Sequence, residues 1–375
     1  MPVSLFRSLY SVQSVRFSPF RRNVLACGSA QHFGMAGNGR QDVLELPAAG
    51  TGVAQVVQAF ETKEAVFDCA WSEANEAVLA SAGGSGVIRL WDLSSPMARG
   101  QGQGAAVELR AHKKEAASID WNSLERNLLA STSWDSFLIV WDVLSARPLV
   151  TVQAHNGVAY QASWHPRKPR TLATCGADGT IAVIDIGQAG AQGPSASASV
   201  RLKAHDGEIL ALDWNKYREH EVASAGTDST IRIFDIRNPQ RPLSILKGHS
   251  MAVRKVRWSP HSEQTLASCS YDMSVAVWDA LAGAVLKRFD HHSEFVVGLD
   301  WSLFDQNVLA TASWDRMICV WNVLKDPPPP STRMLRRTMA PPAAPMAPSS
   351  GPPNGQLQTG SGSAGLPQLQ RTDAY

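Results

Sequence analysis

Short apolar runs recur along the chain, and six of them close on an apolar residue followed by Asp or Asn. The closures are Trp91-Asp92, Trp141-Asp142, Ile184-Asp185, Phe234-Asp235, Trp278-Asp279 and Trp321-Asn322, spaced 50, 43, 50, 44 and 43 residues apart. A degraded seventh copy, Leu44-Glu45, precedes the first by 47 residues. Within each interval the runs either alternate apolar with polar or are apolar throughout, the pattern of strands in sheets covered on both faces. From His112 to Val150, AASIDWN predicts an inner strand a, LLASTS strand b, FLIVWDV strand c and RPLVTV an outer strand d, with a tight turn at Trp134-Asp135.

A period this long describes small sheets that cannot bury their own apolar faces and are stable only when stacked around an axis. The expected fold is all-β, a seven-bladed WD-repeat β-propeller. The last repeat ends at Asn322, and the following KDPPPP cannot supply strand d, because proline donates nothing to a ladder. The N-terminal VSLFRSL, residues 3 to 9, has no blade of its own and is predicted to pair into blade 7 and close the ring. The propeller is expected over 1–325. The Pro-, Ala-, Ser- and Gly-rich tail, 326–375, is predicted to be disordered, and the low-complexity stretches 94–107 and 187–200 to be surface excursions between outer strands.

Charge narrows the partners. The tail holds four Arg and two Asp, which leaves 31 basic and 31 acidic residues in the rest of the chain. That balance argues against nucleic-acid binding, which needs a concentrated basic field. The five cysteines lie in apolar strand contexts without a CxxC or Cys/His cluster, so reduced core thiols are expected and neither a metal nor a cofactor is. No apolar run approaches the ~20 residues of a membrane span, and the N-terminus lacks the pattern of a secretory signal. A soluble intracellular chain without direct membrane insertion is expected.

Counting back from the strand-a Trp of five repeats, a His recurs nine positions earlier, and each of the same five strand-c ends has an Asp six before it and a hydroxyl four before that. Blades 3, 6 and 7 carry full sets: His112, Ser131, Asp135 and Trp141; His249, Ser268, Asp272 and Trp278; His292, Thr311, Asp315 and Trp321. Such a set resembles a hydrolase triad, but an enzyme needs one site and not five, so no catalytic residues are expected. The sets instead predict buried hydrogen-bond networks that pin each turn to its loop.

The loop before strand a and the b–c turn share one rim of this architecture. The side chains six and four positions before the strand-a aromatic, with the residue before each turn Asp, face it together. These positions supply Glu115, Glu208 and Phe295, then Phe67, Tyr160 and Arg254, then Trp134, Tyr271 and Trp314, with Glu64 flanking the blade 2 loop. Aromatics with carboxylates between them predict a ligand with apolar anchors and basic groups, such as a short amphipathic helix covered on its other side by a second protein.

Several segments depart from the bare repeat: FSPF (17–20), AQHFGMAGNGR (30–40), FDCAWSE (67–73), HDGEILALDWNKY (205–217), GHSMAVRKVRWSPH (248–261), LASCSYD (266–272) and DHHSEFVVGLDWS (290–302). Over residues 2 to about 324 they resemble the peroxin 7 family, receptors for the type 2 peroxisomal targeting signal. The resemblance implies a receptor shuttling between cytosol and peroxisome. Its cargo enzymes carry an N-terminal Arg/Lys, an aliphatic, five spacers, His/Gln and Leu/Ala; a peroxin 5-like co-receptor and docking peroxins at the peroxisomal membrane complete the partners. Glu115 in HKKE and Glu208 in HDGE are the residues it points to for the basic groups. The alternative is a scaffold for another basic peptide, a histone tail or a ubiquitin-ligase substrate.

Overall fold

Each interval of the repeat folds into a four-stranded antiparallel sheet in the computed structural model, which describes residues 2–47, 52–94, 105–187 and 198–324. Blade 3 is typical, with strands Ala116–Trp121, Leu128–Ser133, Phe137–Asp142 and Arg147–Gln153 running from the channel outward. Blade 1 uses Ser11–Phe17, Val24–Ala30, Gly39–Glu45 and Gln55–Thr62. Blade 7 has Val296–Trp301, Val308–Ser313 and Met317–Asn322 and takes its fourth strand, Ser4–Arg7, from the other end of the chain. Ser4 pairs with Val320 and Arg7 with Met317, the closure the missing strand predicts. A two-residue strand that the sequence pattern did not reveal, Gly52–Val53, runs parallel outside Ser4 and Leu5.

The apolar core lies between blades. Leu138 and Val140 of blade 3 meet Trp164, Leu172 and Ile184 of blade 4, and Val12, Val15 and Leu25 of blade 1 meet Ala312, Ile318 and Val320 of blade 7. Covering each sheet on both faces is what makes its strands apolar throughout. All five cysteines are buried and unpaired. The windows 94–107 and 187–200 overshoot: Val107 and Ala198 already pair with strand c, at Leu90 and Ile184. Residues 95–104, 188–197 and the tail from 326 lie outside the described residues.

The turn aspartates explain the repeat. Asp135 accepts from His112 Nδ1 at 3.1 Å, from the Lys113 N–H at 2.8 Å and from the Phe137 N–H at 3.0 Å. The last bond bridges Ser136, whose φ of 78° places it in the left-handed region. Ser131 lies 2.8 Å from His112 Nε2 and accepts from Trp141 Nε1 at 2.8 Å, so its own proton is directed to the imidazole and Nδ1–H to the carboxylate. Blades 6 and 7 repeat the set through His249, Ser268, Asp272 and Trp278, and His292, Thr311, Asp315 and Trp321. In blades 4 and 5 the network stops at Thr174 and Ser224, because the side chains of Ile184 and Phe234 have no N–H to offer. Blade 2 replaces His and Asp with Thr62 and Ser85 and keeps only the Trp91–Ser81 bond. Burial tends to raise the Asp135 carboxyl, but the two N–H groups and His112 hold it below its usual range. Asp135→Ala leaves those donors orphaned and is expected to lower unfolding free energy by about 1–3 kcal/mol, read from denaturant melts, with ligand binding per folded molecule unchanged.

A second set of aspartates, in strand a, ties blade to blade. Asp68, Asp120, Asp213 and Asp300 each accept a main-chain N–H of the next blade, from Ile119, Trp164, Trp258 and Phe17 at 2.8–3.3 Å. Arg16 stands 3.8 Å from both Asp68 and Asp300, and Arg257 3.5 Å from Asp213. Burial raises Asp120 and Asp300 to about 6, against the pull of Arg16. It pushes His112, His155 and His205 below 6.5, against their aspartates. The lowered His groups hold stability that is lost as pH falls through about 6.5, because the unfolded chain protonates first. The lowered turn aspartates lose theirs further down, below about 3.8. Asp120 and Asp300 have the opposite sign, since their folded forms take up protons first and gain stability between about 6 and 3.8. We expect Asp120→Asn, which keeps an acceptor for Trp164 but cannot take up the proton, to lower the melting temperature relative to the parent as pH falls from 6 to 4.

Candidate functional site

One main-chain hydrogen bond sets the rim. The N–H of the residue before each turn Asp donates to the carbonyl six positions before the strand-a aromatic: Trp134 to Glu115, Ala177 to Val158, Thr227 to Glu208, Tyr271 to Ala252 and Trp314 to Phe295, at 2.9–3.0 Å. A bulge in strand a follows this bond, between Ala116 and Ser118 in blade 3, and throws the residue between them towards the same opening. The result is an open funnel of about 610 Å³ at the mouth of the channel.

Eight of the ten residues singled out on the rim line this funnel: Phe67, Glu115, Trp134, Tyr160, Glu208, Arg254, Tyr271 and Trp314. Two do not. Glu64 is ion-paired with Arg89, within a blade whose His–Asp pin is missing, so its charge is spent on the scaffold. Phe295 stands behind the wall, stacked on Tyr271 at 4.7 Å and packed on Trp314 at 5.3 Å. Ala117, Leu210 and Val297, at no more than 7% exposure, form an apolar floor.

The walls are two aromatic arcs. Phe67 stacks on Trp134 at 6.0 Å on one side. On the other, Trp314 joins Phe295 and Tyr271 to Phe33, whose ring lies 5.1 Å away, while its indole N–H donates to Gln13. Between the arcs lie Glu115, Tyr160, Glu208 and Arg254. The Tyr160 hydroxyl donates to Glu208 at 2.6 Å; burial and that bond push the phenol far above its ordinary range, so it stays a donor. Glu115 has no ion-pair partner among the described residues and is the freer carboxylate.

The sequence reading missed Phe33 and Met35, which belong to the b–c connection of blade 1. Elsewhere this connection is a tight turn, whereas here it is the short helix Gln31–Gly34, with His32 and Phe33 at φ of 45° and 60°. That strained turn carries Phe33 and the 83%-exposed Met35 onto the funnel's edge. The non-repeat segment AQHFGMAGNGR was the available signal. Gly34, at φ 90°, lies where a Cβ would stand 2.7 Å from the Phe67 ring. We expect Gly34→Val to displace Phe33 from Trp314 and shift the tryptophan emission to the red, at an unfolding cost of about 1–3 kcal/mol.

The ring, its pinned turns and its funnel define a WD-repeat β-propeller with a peptide-sized mouth. Residues 54–92, 106–142, 146–185, 197–235, 240–279 and 283–322 match the family described as WD domain, G-beta repeat, which passes over the degraded blade 1. The chain is 42% identical to the peroxisomal targeting signal 2 receptor of Dictyostelium discoideum over 295 residues, 78% of this chain and 89% of that one. It is 36% identical to that of Homo sapiens over 76% of this chain and 84% of the other, and 29% identical to that of Schizosaccharomyces pombe over 76% and 87%. The chain belongs to the family of peroxisomal targeting signal 2 receptors.

Proposed function

We propose that this protein is an import receptor that holds the helical N-terminal type 2 targeting signal of cargo enzymes in the funnel and delivers them, with a peroxin 5-like co-receptor and docking peroxins at the membrane, from the cytosol to the peroxisome. The observation that carries the reading is the pairing of two aromatic arcs with Glu115 and Glu208 around one opening. A helix is 10–12 Å across with its side chains, so one lies in the mouth with its aliphatic stripe on the aromatics and floor. Each aliphatic anchor buried there contributes about 1.5–3 kcal/mol. A short peptide is barely helical alone, so ordering offsets much of that gain, and a co-receptor covering the exposed side supplies further burial. Basic side chains meet Glu115 first, because Glu208 is shared with Tyr160. Arg254 suits an acceptor side chain or the carbonyl end of the helix.

The test is fluorescence anisotropy with a synthetic peptide carrying Arg, an aliphatic, five spacers, His and Leu. We expect saturable binding weakened about tenfold or more by Glu115→Lys, by replacing the Arg with Gln, and by raising salt. Equal binding of a basic peptide lacking the aliphatic spacing would favour a general basic-peptide scaffold instead.

A further inference from the structure

The seam where blade 7 meets blade 1 carries a second groove, apart from the funnel. It encloses about 430 Å³ and is lined by Phe6, Arg7, Ser8, Leu9, Val56 and Arg316, with the Arg40–Asp42 pair at its end. Its wall is the closing strand, whose outer edge is covered by Gly52–Val53 only opposite Ser4 and Leu5. From Phe6 onward that edge has no strand beside it among the described residues. Open edges are templates for an added strand, and proteins that do not use them cover or charge them.

Three further observations say what would be added. Ser8 is 3% exposed and its hydroxyl has no partner among the described residues, although its N–H is spent on the Arg316 carbonyl at 2.8 Å. A buried hydroxyl left unpaired costs free energy that a ligand's polar atom recovers. Arg7 and Arg316 are both exposed and meet no carboxylate among the described residues, in contrast to Arg40, which is held by Asp42 and Glu61 at 2.6 and 2.8 Å. Around them Leu9 and Val56 are 58% and 40% exposed. Arg316 is also the left-handed residue of its turn, at φ 71°, so its main chain is fixed by the Asp315 pin.

We propose that this groove binds an extended acidic segment of another protein, which adds to the open edge at Phe6–Ser8, sets a carboxylate on Arg7 and Arg316, and rests aliphatic side chains on Leu9 and Val56. A separate depression above it shares Arg7, Leu9 and Arg316 and is lined by the exposed Glu294, which confines the acidic residue to the lower groove. Asp315 does not compete, because its carboxylate is taken by His292 and the Ser293 and Met317 N–H groups. The chain's own tail has the wrong sign, with four Arg and two Asp from 326 onward. None of the funnel's carboxylates is used, so this site stands or falls apart from the cargo reading.

The experiment is anisotropy of the full chain with a fluorescein-labelled hexapeptide of alternating acidic and aliphatic residues, beside the same peptide with lysines at the acidic positions. We expect saturable binding of the acidic probe, reduced by added salt, weakened about tenfold by Arg316→Glu and unchanged by Glu115→Lys. Arg316→Asn, which suits the left-handed turn, should give a similar loss with an unchanged melting temperature. No saturable binding, binding indifferent to both Arg316 variants, or equal binding of the lysine peptide overturns the proposal. Displacement of the probe by a synthetic 326–375 peptide overturns it as well, and assigns the groove to the tail.

Discussion

The carboxylate of the turn aspartate is the interaction on which the rest depends. In five blades it accepts at once from an imidazole, from its own turn or the preceding loop, and in most cases from both. It permits the left-handed residue that follows it without a glycine, as at Ser136, Ser229, Met273 and Arg316. The residue before it is held by its own main-chain bond to the loop carbonyl, and that residue is the one presented to the rim. Scaffold and site are therefore neighbours in sequence yet separate in chemistry. The polar network is buried and fully partnered beneath, while the exposed Trp134 and half-buried Trp314 and Tyr271 stand above it.

This division explains what the sequence disclosed. The period, the two-residue alternation and the proline block after Asn322 were enough for seven blades, and even for the donor of the closing strand. Eight rim residues were legible because strand parity and one recurring bulge act identically in every blade. Glu64 was misplaced because blade 2 lacks the His–Asp pin, and the freed position is filled by an ion pair with Arg89 that no spacing rule encodes. Phe33 and Met35 escaped because they sit where the repeat is broken, on a turn held in a sparsely populated conformation. The channel aspartates escaped for another reason. IDW and LDW stand openly before strand-a tryptophans, yet each carboxylate finds its partner in the next blade, a relation between repeats and not within one.

The funnel's charge pattern is asymmetric in a way that matters for recognition. Of its two carboxylates, one already accepts from Tyr160 and the other has no ion-pair partner among the described residues, and the single guanidinium among its lining residues belongs to Arg254. A ring of equal charges would hold a basic helix in any azimuth. One free carboxylate, one shared carboxylate and one cation give the opening a direction, and the aromatic arcs on opposite sides give it an axis.

Closure by Ser4–Arg7 has a consequence for biosynthesis. These residues are made more than three hundred positions before their partners Met317–Val320. Throughout translation the leading segment has no sheet to join, and six finished blades present an unsealed flank on each side. A nascent chain in that condition offers bare strand edges to any neighbour, so the interval before the last blade emerges is when chaperones matter most to this protein.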